Sequence, residues 1–142
     1  MSQAASFRPI GVVKSALNDL DAAPPQGPEA GTTAVIELDP AWSEGLEGLA
    51  PGRWLWVLCW FDQAKEPKLK VHPRGDRSRP VTGMFNTRSP HRINPISLTL
   101  VRLEALEGNR LTVRGLEMID GTPVLDIKPW VAGIDHPRGD KS

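Results

Sequence analysis

Apolar positions fall in short runs separated by glycine, proline and polar clusters. Residues 9–13 (PIGVV) predict a short strand, and residues 32–38 (TTAVIEL) a second, β-branched one. Between them, residues 18–31 carry three prolines and two glycines among alanines and acids, which predicts a long loop. Asp39-Pro40 sets an N-cap before a first-turn proline, and Trp42, Leu46 and Leu49 then recur at helical spacing. Gly45, Gly48 and Gly52 keep that helix short. Residues 53–61 (RWLWVLCWF) form the strongest strand pattern and are apolar on both alternating faces, which predicts a central strand covered on both sides. Residues 63–80 are polar and proline-rich. Further strands are predicted at 81–86, 96–105, 110–115 and 124–130, with Glu107-Gly108-Asn109 as a hairpin loop. Along 98–103, Leu98, Leu100 and Arg102 alternate with Thr99, Val101 and Leu103, so at least one face of that strand is buried.

About seven or eight short strands, one short helix and many Gly/Pro turns signal an all-β sandwich or barrel. No βαβ alternation supports a doubly wound sheet. At 142 residues the chain reads as one domain, residues 1–142. The pentapeptide HPRGD occurs at 72–76 and again at 136–140, which reads as two similar turns without function.

Lys+Arg and Asp+Glu balance at 17 each, so no global field favours nucleic acid or a membrane. The distribution is uneven. Residues 15–50 hold seven carboxylates and no Lys or Arg, whereas residues 70–92 hold six basic residues and one acid. A local basic face is therefore predicted on a neutral protein. The single cysteine, Cys59, excludes an intrachain disulfide and reads as a small buried hydrophobe. No apolar leader or stretch of membrane-spanning length is present. These features predict a soluble cytoplasmic protein.

Standard chemical signatures are absent: no G-x-G-x-x-G after a strand, no phosphate-binding G-x-x-x-x-G-K-[ST], no G-x-S-x-G, and no His/Cys spacing suited to a metal. Three polar-rich stretches remain. The first is Pro24-Pro25-Gln26-Gly27-Pro28. The second is the run 83–99 (GMFNTRSPHRINPISLT), where prolines fix the backbone and Arg88 and Arg92 offer planar donor forks suited to carboxylates and phosphates. The third is Asp120-Gly121-Thr122-Pro123, which on its own reads as a β-turn with Asp closing an Asx-turn. Trp54, Trp56 and Trp60 read first as core packing, and alternatively as an aromatic platform for RNA.

At these residues the chain resembles the TsaA/TrmO-like family, small all-β S-adenosylmethionine-dependent methyltransferases. The matching stretches include 8–15 (RPIGVVKS), 44–49, 55–62, the 83–99 run and 116–129 (LEMIDGTPVLDIKP). They cover nearly the whole chain in order. The resemblance implies a small closed or nearly closed barrel of about eight strands that dimerises, binds S-adenosylmethionine at its rim, and methylates N6 of threonylcarbamoyladenosine beside the tRNA anticodon. Its cofactor contacts would fall on Gln26, Gly27, Phe61, Asp62, Arg88, Leu98, Asp120, Gly121, Thr122 and Pro123. Phe61 and Leu98 would face the adenine, and Arg88 would take a carboxylate. Arg74, Arg77, Arg79 and Arg92 supply the basic segment for tRNA. No metal is implied. His91 and Asp120 are the candidates for removing a proton, if a base is needed at all. The alternative is a non-catalytic S-adenosylmethionine- or RNA-binding barrel.

The chain departs from the family pattern at several points. Ile93 stands where the family has proline, which predicts a looser loop. Ser97 replaces a glycine, which predicts a narrowed approach for a ligand. Asn86 replaces an alanine, and Asp62 sits where histidine is frequent.

Overall fold

The structure is a computed structural model that describes residues 3–16 and 31–137. Its strands are β1 (Gly11–Lys14), β2 (Thr33–Leu38), β3 (Trp54–Cys59), β4 (Lys70–Val71), β5 (Thr82–Gly83), β6 (Thr99–Glu107), β7 (Arg110–Arg114) and β8 (Pro123–Pro129). Six of them close an antiparallel barrel in the order β1-β2-β7-β6-β3-β8, with β8 pairing back onto β1. The other two, β4 and β5, form a small separate sheet. The barrel is thus closed, with six staves rather than about eight.

Period-2 alternation builds the core. Val13, Ile36, Leu55, Val57, Val101, Leu103, Leu111, Val113 and Val124 all point inward and are fully buried. On β3, Leu55, Val57 and Cys59 take the inner face, while Trp54, Trp56 and Leu58 are half-buried outside. The run that is apolar on both faces is therefore covered fully on one face only. The tryptophans lie outside the interior, where Trp56 stands opposite Leu100 on β6 and Lys128 on β8.

Local chemistry explains the connections. The Asp39 carboxylate accepts a hydrogen bond from the Ala41 N–H at 3.0 Å and caps a 3-10 helix over Pro40–Leu46, so the predicted helix forms in the tighter variety. Gly108 turns the β6–β7 hairpin with φ of +61°. Gly11 is required for close approach: a Cβ there would lie 2.5 Å from the Glu37 carbonyl oxygen on β2. The predicted strand at 81–86 survives only as Thr82–Gly83 and gives way to a 3-10 turn, Met84–Asn86. A short helix, Ala132–Asp135, lies beyond β8 and was not legible in the pattern.

Candidate functional site

The antiparallel registers bring the exits of β1, β3 and β7 and the entries of β2, β6 and β8 to one end of the barrel. Two segments cross that end. The first, residues 60–98, leaves β3 and returns as its neighbour β6. Its neck is tied by backbone bonds: Ser97 N–H to Cys59 O at 2.8 Å, Phe61 N–H to Pro95 O at 2.7 Å, and Trp60 N–H to Pro123 O at 2.9 Å. The second, residues 115–122, passes over the barrel mouth from β7 to β8. Leu116 and Met118 drop from it into the core.

Between these segments lies a cleft of about 660 Å³. Its wall includes Phe61, Asp62 and Gln63 from the exit of β3, and Ile96, Ser97 and Leu98 at the entry of β6. Arg74 and Arg79 reach it from the turn after β4, Thr87, Arg88 and Arg92 from the loop after β5, and Glu117, Met118, Ile119 and Thr122 from the mouth segment. Four arginines against two carboxylates, Asp62 and Glu117, make it net positive. Glu117 is only 3 % exposed, and burial raises its carboxyl above the ordinary glutamate value.

Of the residues expected to touch the cofactor, Phe61, Asp62, Arg88, Leu98 and Thr122 meet in this cleft. Gln26 and Gly27 lie outside the described residues. Asp120, Gly121 and Pro123 flank the cleft without lining it. The Asp120 carboxylate accepts from the Ser15 N–H at 2.9 Å, and Gly121, at φ +89°, donates its N–H to Val13 O at 2.8 Å. The Thr122 hydroxyl donates to Ile119 O at 2.6 Å. The D-G-T-P stretch is thus a braced turn that presents one of its four residues to the cleft.

The basic residues divide in the same way. Arg88 is exposed, and its guanidinium makes one long 3.5 Å contact to Leu98 O. Arg92 is turned inward: its Nη1 donates to Thr87 O at 2.8 Å and to Met84 O and Ser89 O at 3.3 Å each. It braces the loop as well as lining the cleft. Arg74 lines the cleft with a positive φ of 55°, and Arg79 lies 3.9 Å from Asp76. Arg77 does not line the cleft, and neither does His91, whose Nδ1 is buried without a hydrogen-bond partner among the described residues.

Ser97 lines the cleft wall and also ties the neck. It is buried, and its hydroxyl accepts a hydrogen bond from the Cys59 N–H at 3.0 Å. This bond sits where the β3–β8 register shifts between Leu58 and Cys59. Cys59 itself is enclosed, with burial pushing its thiol up to about 12. Glu117 and Met118 were missed as cleft residues. The available signal was their place within the matched 116–129 stretch, just ahead of D-G-T-P.

A second, smaller cavity of about 300 Å³ lies at the opposite end, between the 3-10 helix and β8. Among the described residues no group of three or more His, Cys, Asp or Glu side chains is placed to hold a metal ion. Nor is any described helix long and apolar enough to cross a membrane.

The family model described as the tRNA-methyltransferase O N-terminal domain matches residues 12–136. An Archaeoglobus fulgidus protein named S-adenosyl-L-methionine-binding protein is 41 % identical over 129 residues, covering 91 % of this chain and 91 % of its own length. A longer protein of the same organism is also 41 % identical over 129 residues, 91 % of this chain, but the chain spans only 35 % of it. The crystal structure of TrmO from Pseudomonas aeruginosa superposes with a TM-score of 0.80 at 37 % identity, covering 98 % of this chain and 61 % of that one.

Proposed function

The chain belongs to the family of the tRNA-methyltransferase O N-terminal domain, and on that footing we propose that it is an S-adenosylmethionine-dependent methyltransferase acting on tRNA. One observation carries the reading: Phe61, Asp62, Arg88, Leu98 and Thr122, distant in sequence, converge on one cleft at the barrel rim. Its volume of about 660 Å³ falls within the range of small-molecule sites, roughly 300–1,000 Å³.

The residues present fit the cofactor. Phe61, Leu98 and Met118 offer apolar surface for an adenine. Arg88 has guanidinium donors to spare for a carboxylate. Asp62 is exposed at the lip and can accept from a hydroxyl or an ammonium. When bound, S-adenosylmethionine supplies a methyl group activated by its sulfonium centre. The protein's part is to orient that group and exclude water, since positioning can supply most of the rate of an in-line displacement. The tied neck at Cys59 and Ser97 keeps Phe61 and Leu98 in fixed relation.

The acceptor we propose is N6 of threonylcarbamoyladenosine next to the tRNA anticodon. Arg74, Arg79 and Arg92 at the cleft, with Arg77 nearby, would meet RNA phosphates. Action as a homodimer in the cytoplasm completes the proposal. Neither candidate base stands free in the cleft: His91 is outside its wall, and Asp120 holds Ser15. Transfer of labelled methyl from S-adenosylmethionine to total tRNA, followed by nucleoside digestion, tests the reading. Label in methylated threonylcarbamoyladenosine is the expected result, and cofactor binding without transfer to any nucleoside would reject it. That rejection would leave the second reading, a non-catalytic binding barrel. It is favoured by the near-equal length of the Archaeoglobus relative named only for binding.

A further inference from the structure

Phe85 is the most exposed large apolar side chain among the described residues, with 84 % of its surface open to solvent. It does not line the cleft, yet it stands two residues from Thr87 and three from Arg88, which do. Its Cα is therefore no more than about 7.6 Å from that of Thr87. The 3-10 turn that carries it, Met84–Asn86, is tied down on both sides. Met84 is buried, and its N–H donates to Leu69 O at 2.8 Å. Its carbonyl accepts from the Thr87 N–H at 3.1 Å and from Arg92 Nη1 at 3.3 Å. The Asn86 amide donates to the Thr82 hydroxyl at 3.2 Å. A braced backbone thus holds an aromatic ring out in water beside the cleft. Leu69 and Val81, next to β4 and β5, are exposed as well.

Single apolar residues on a surface need no explanation. This one differs in its setting, because the 60–98 segment carries eight Lys or Arg against three carboxylates. A two-fold interface sets a patch against its own copy, so a surface this basic opposes a second copy of itself. It attracts a polyanion instead. A polyanion that also offers flat apolar faces is a single-stranded nucleic acid, and aromatic rings set among basic side chains bind one through stacking. The tryptophans are less suited to that role. Trp54 and Trp56 are half-buried on the outer face of β3, and Trp60 is about half as exposed as Phe85. A base methylated inside a cleft has to leave its stack, and the base beside it loses a stacking neighbour.

Resting on the tRNA reading above, we propose that Phe85 is the stacking platform for an unpaired RNA base next to the methyl acceptor. The ring takes the place of the neighbour that the acceptor vacates, and the arginines of the same segment hold the phosphates on either side. No covalent bond forms or breaks there. Every base has a π face, so Phe85 contributes affinity and placement with little sequence preference. It stands outside the cleft wall, so cofactor binding is independent of the ring.

The test is binding of a full-length tRNA carrying threonylcarbamoyladenosine to the wild type, Phe85→Ala, Phe85→Leu and Phe85→Trp across a salt series. S-adenosylmethionine affinity is measured alongside. Phe85→Ala and Phe85→Leu should each bind the tRNA about tenfold more weakly, and Phe85→Trp at least as tightly as the wild type. The salt slope should be the same in all four proteins, since no phosphate contact is lost. Cofactor affinity should not change. Leucine keeps apolar bulk without the ring, so a Phe85→Leu variant that binds tRNA like the wild type would overturn the proposal. So would an unaffected Phe85→Ala, or tRNA and cofactor affinities that fall together. Phe85→Ala should also sediment as the wild type does, and loss of a dimer in that variant would assign the ring to a second copy of the chain instead. If the wild type itself fails to bind the tRNA, the tRNA reading falls too. Normal wild-type binding with unaffected variants removes the platform alone.

Discussion

Ser97 and Cys59 hold each other twice, through Ser97 N–H to Cys59 O at 2.8 Å and Cys59 N–H to the Ser97 hydroxyl at 3.0 Å. Ser97→Ala removes the second bond and leaves a buried N–H without its acceptor, at a cost of about 1–3 kcal/mol. Thermal melts should fall by roughly 4 °C per kcal/mol. An unchanged melt would mean that the hydroxyl is not needed at the neck.

Cys59 predicts a stability loss in alkali. Its thiol is pushed up to about 12 in the fold from 9.0. The folded state therefore keeps a proton that the unfolded state releases. The contribution is complete below pH 9.0 and declines as pH rises toward about 12. Within that window the wild type should lose about 1.4 kcal/mol per pH unit more than Cys59→Ala, measured by urea unfolding. Parallel profiles would sink the prediction. Native protein at pH 8 should also resist thiol reagents.

Arg88 and Arg92 should separate when each is changed to alanine. Arg88→Ala keeps the fold and weakens ligand affinity, since among the described residues its guanidinium holds one long protein contact. Arg92→Ala removes a guanidinium that donates to three carbonyls, and should cost about 1–3 kcal/mol in stability along with binding. Paired denaturation and binding measurements decide the matter, and equal behaviour of the two variants would refute the distinction.

Glu117→Gln should stabilise the ligand-free protein at neutral pH. Burial raises the folded-state carboxyl above the unfolded 4.5, so its favourable contribution is present below pH 4.5 and lost as pH climbs through the folded value. The amide carries no such loss. A variant less stable than wild type at pH 7 yet equal at pH 4 would contradict this sign.

Gly11→Ala should destabilise by about 1–3 kcal/mol, because its Cβ meets backbone oxygen of Glu37 at 2.5 Å. Gly45→Ala is the control, as nothing lies within 4 Å of a Cβ there. Urea midpoints that move equally for both would show that the β1–β2 approach is not limiting.

The elements legible in the sequence were those with local causes. Asp39-Pro40 announced a helix start, and Gly108 announced a hairpin, because capping and positive φ are settled within a few residues. The closure of β8 onto β1 is a tertiary event, and no periodicity reports it. The tryptophans of β3 misled for the same reason: apolar residues on both faces predict cover, but do not say which face the barrel encloses. Phe61, Asp62, Arg88, Leu98 and Thr122 came from family resemblance, and the structure explains them by converging strand ends. Glu117 was unreadable because a carboxylate in a short run looks like surface until the fold buries it.

The last barrel strand also sets when the cleft comes into being. β8 pairs with both β1 and β3, and the mouth segment 115–122 runs directly into it. Every arginine of the cleft precedes β8 in the chain, and the opposite wall is anchored at its far end only when residues 123–129 pair with β1 and β3. Ligand binding therefore reports completed folding. A nascent chain halted before β8 carries the basic loops without the closed barrel end that frames the cleft.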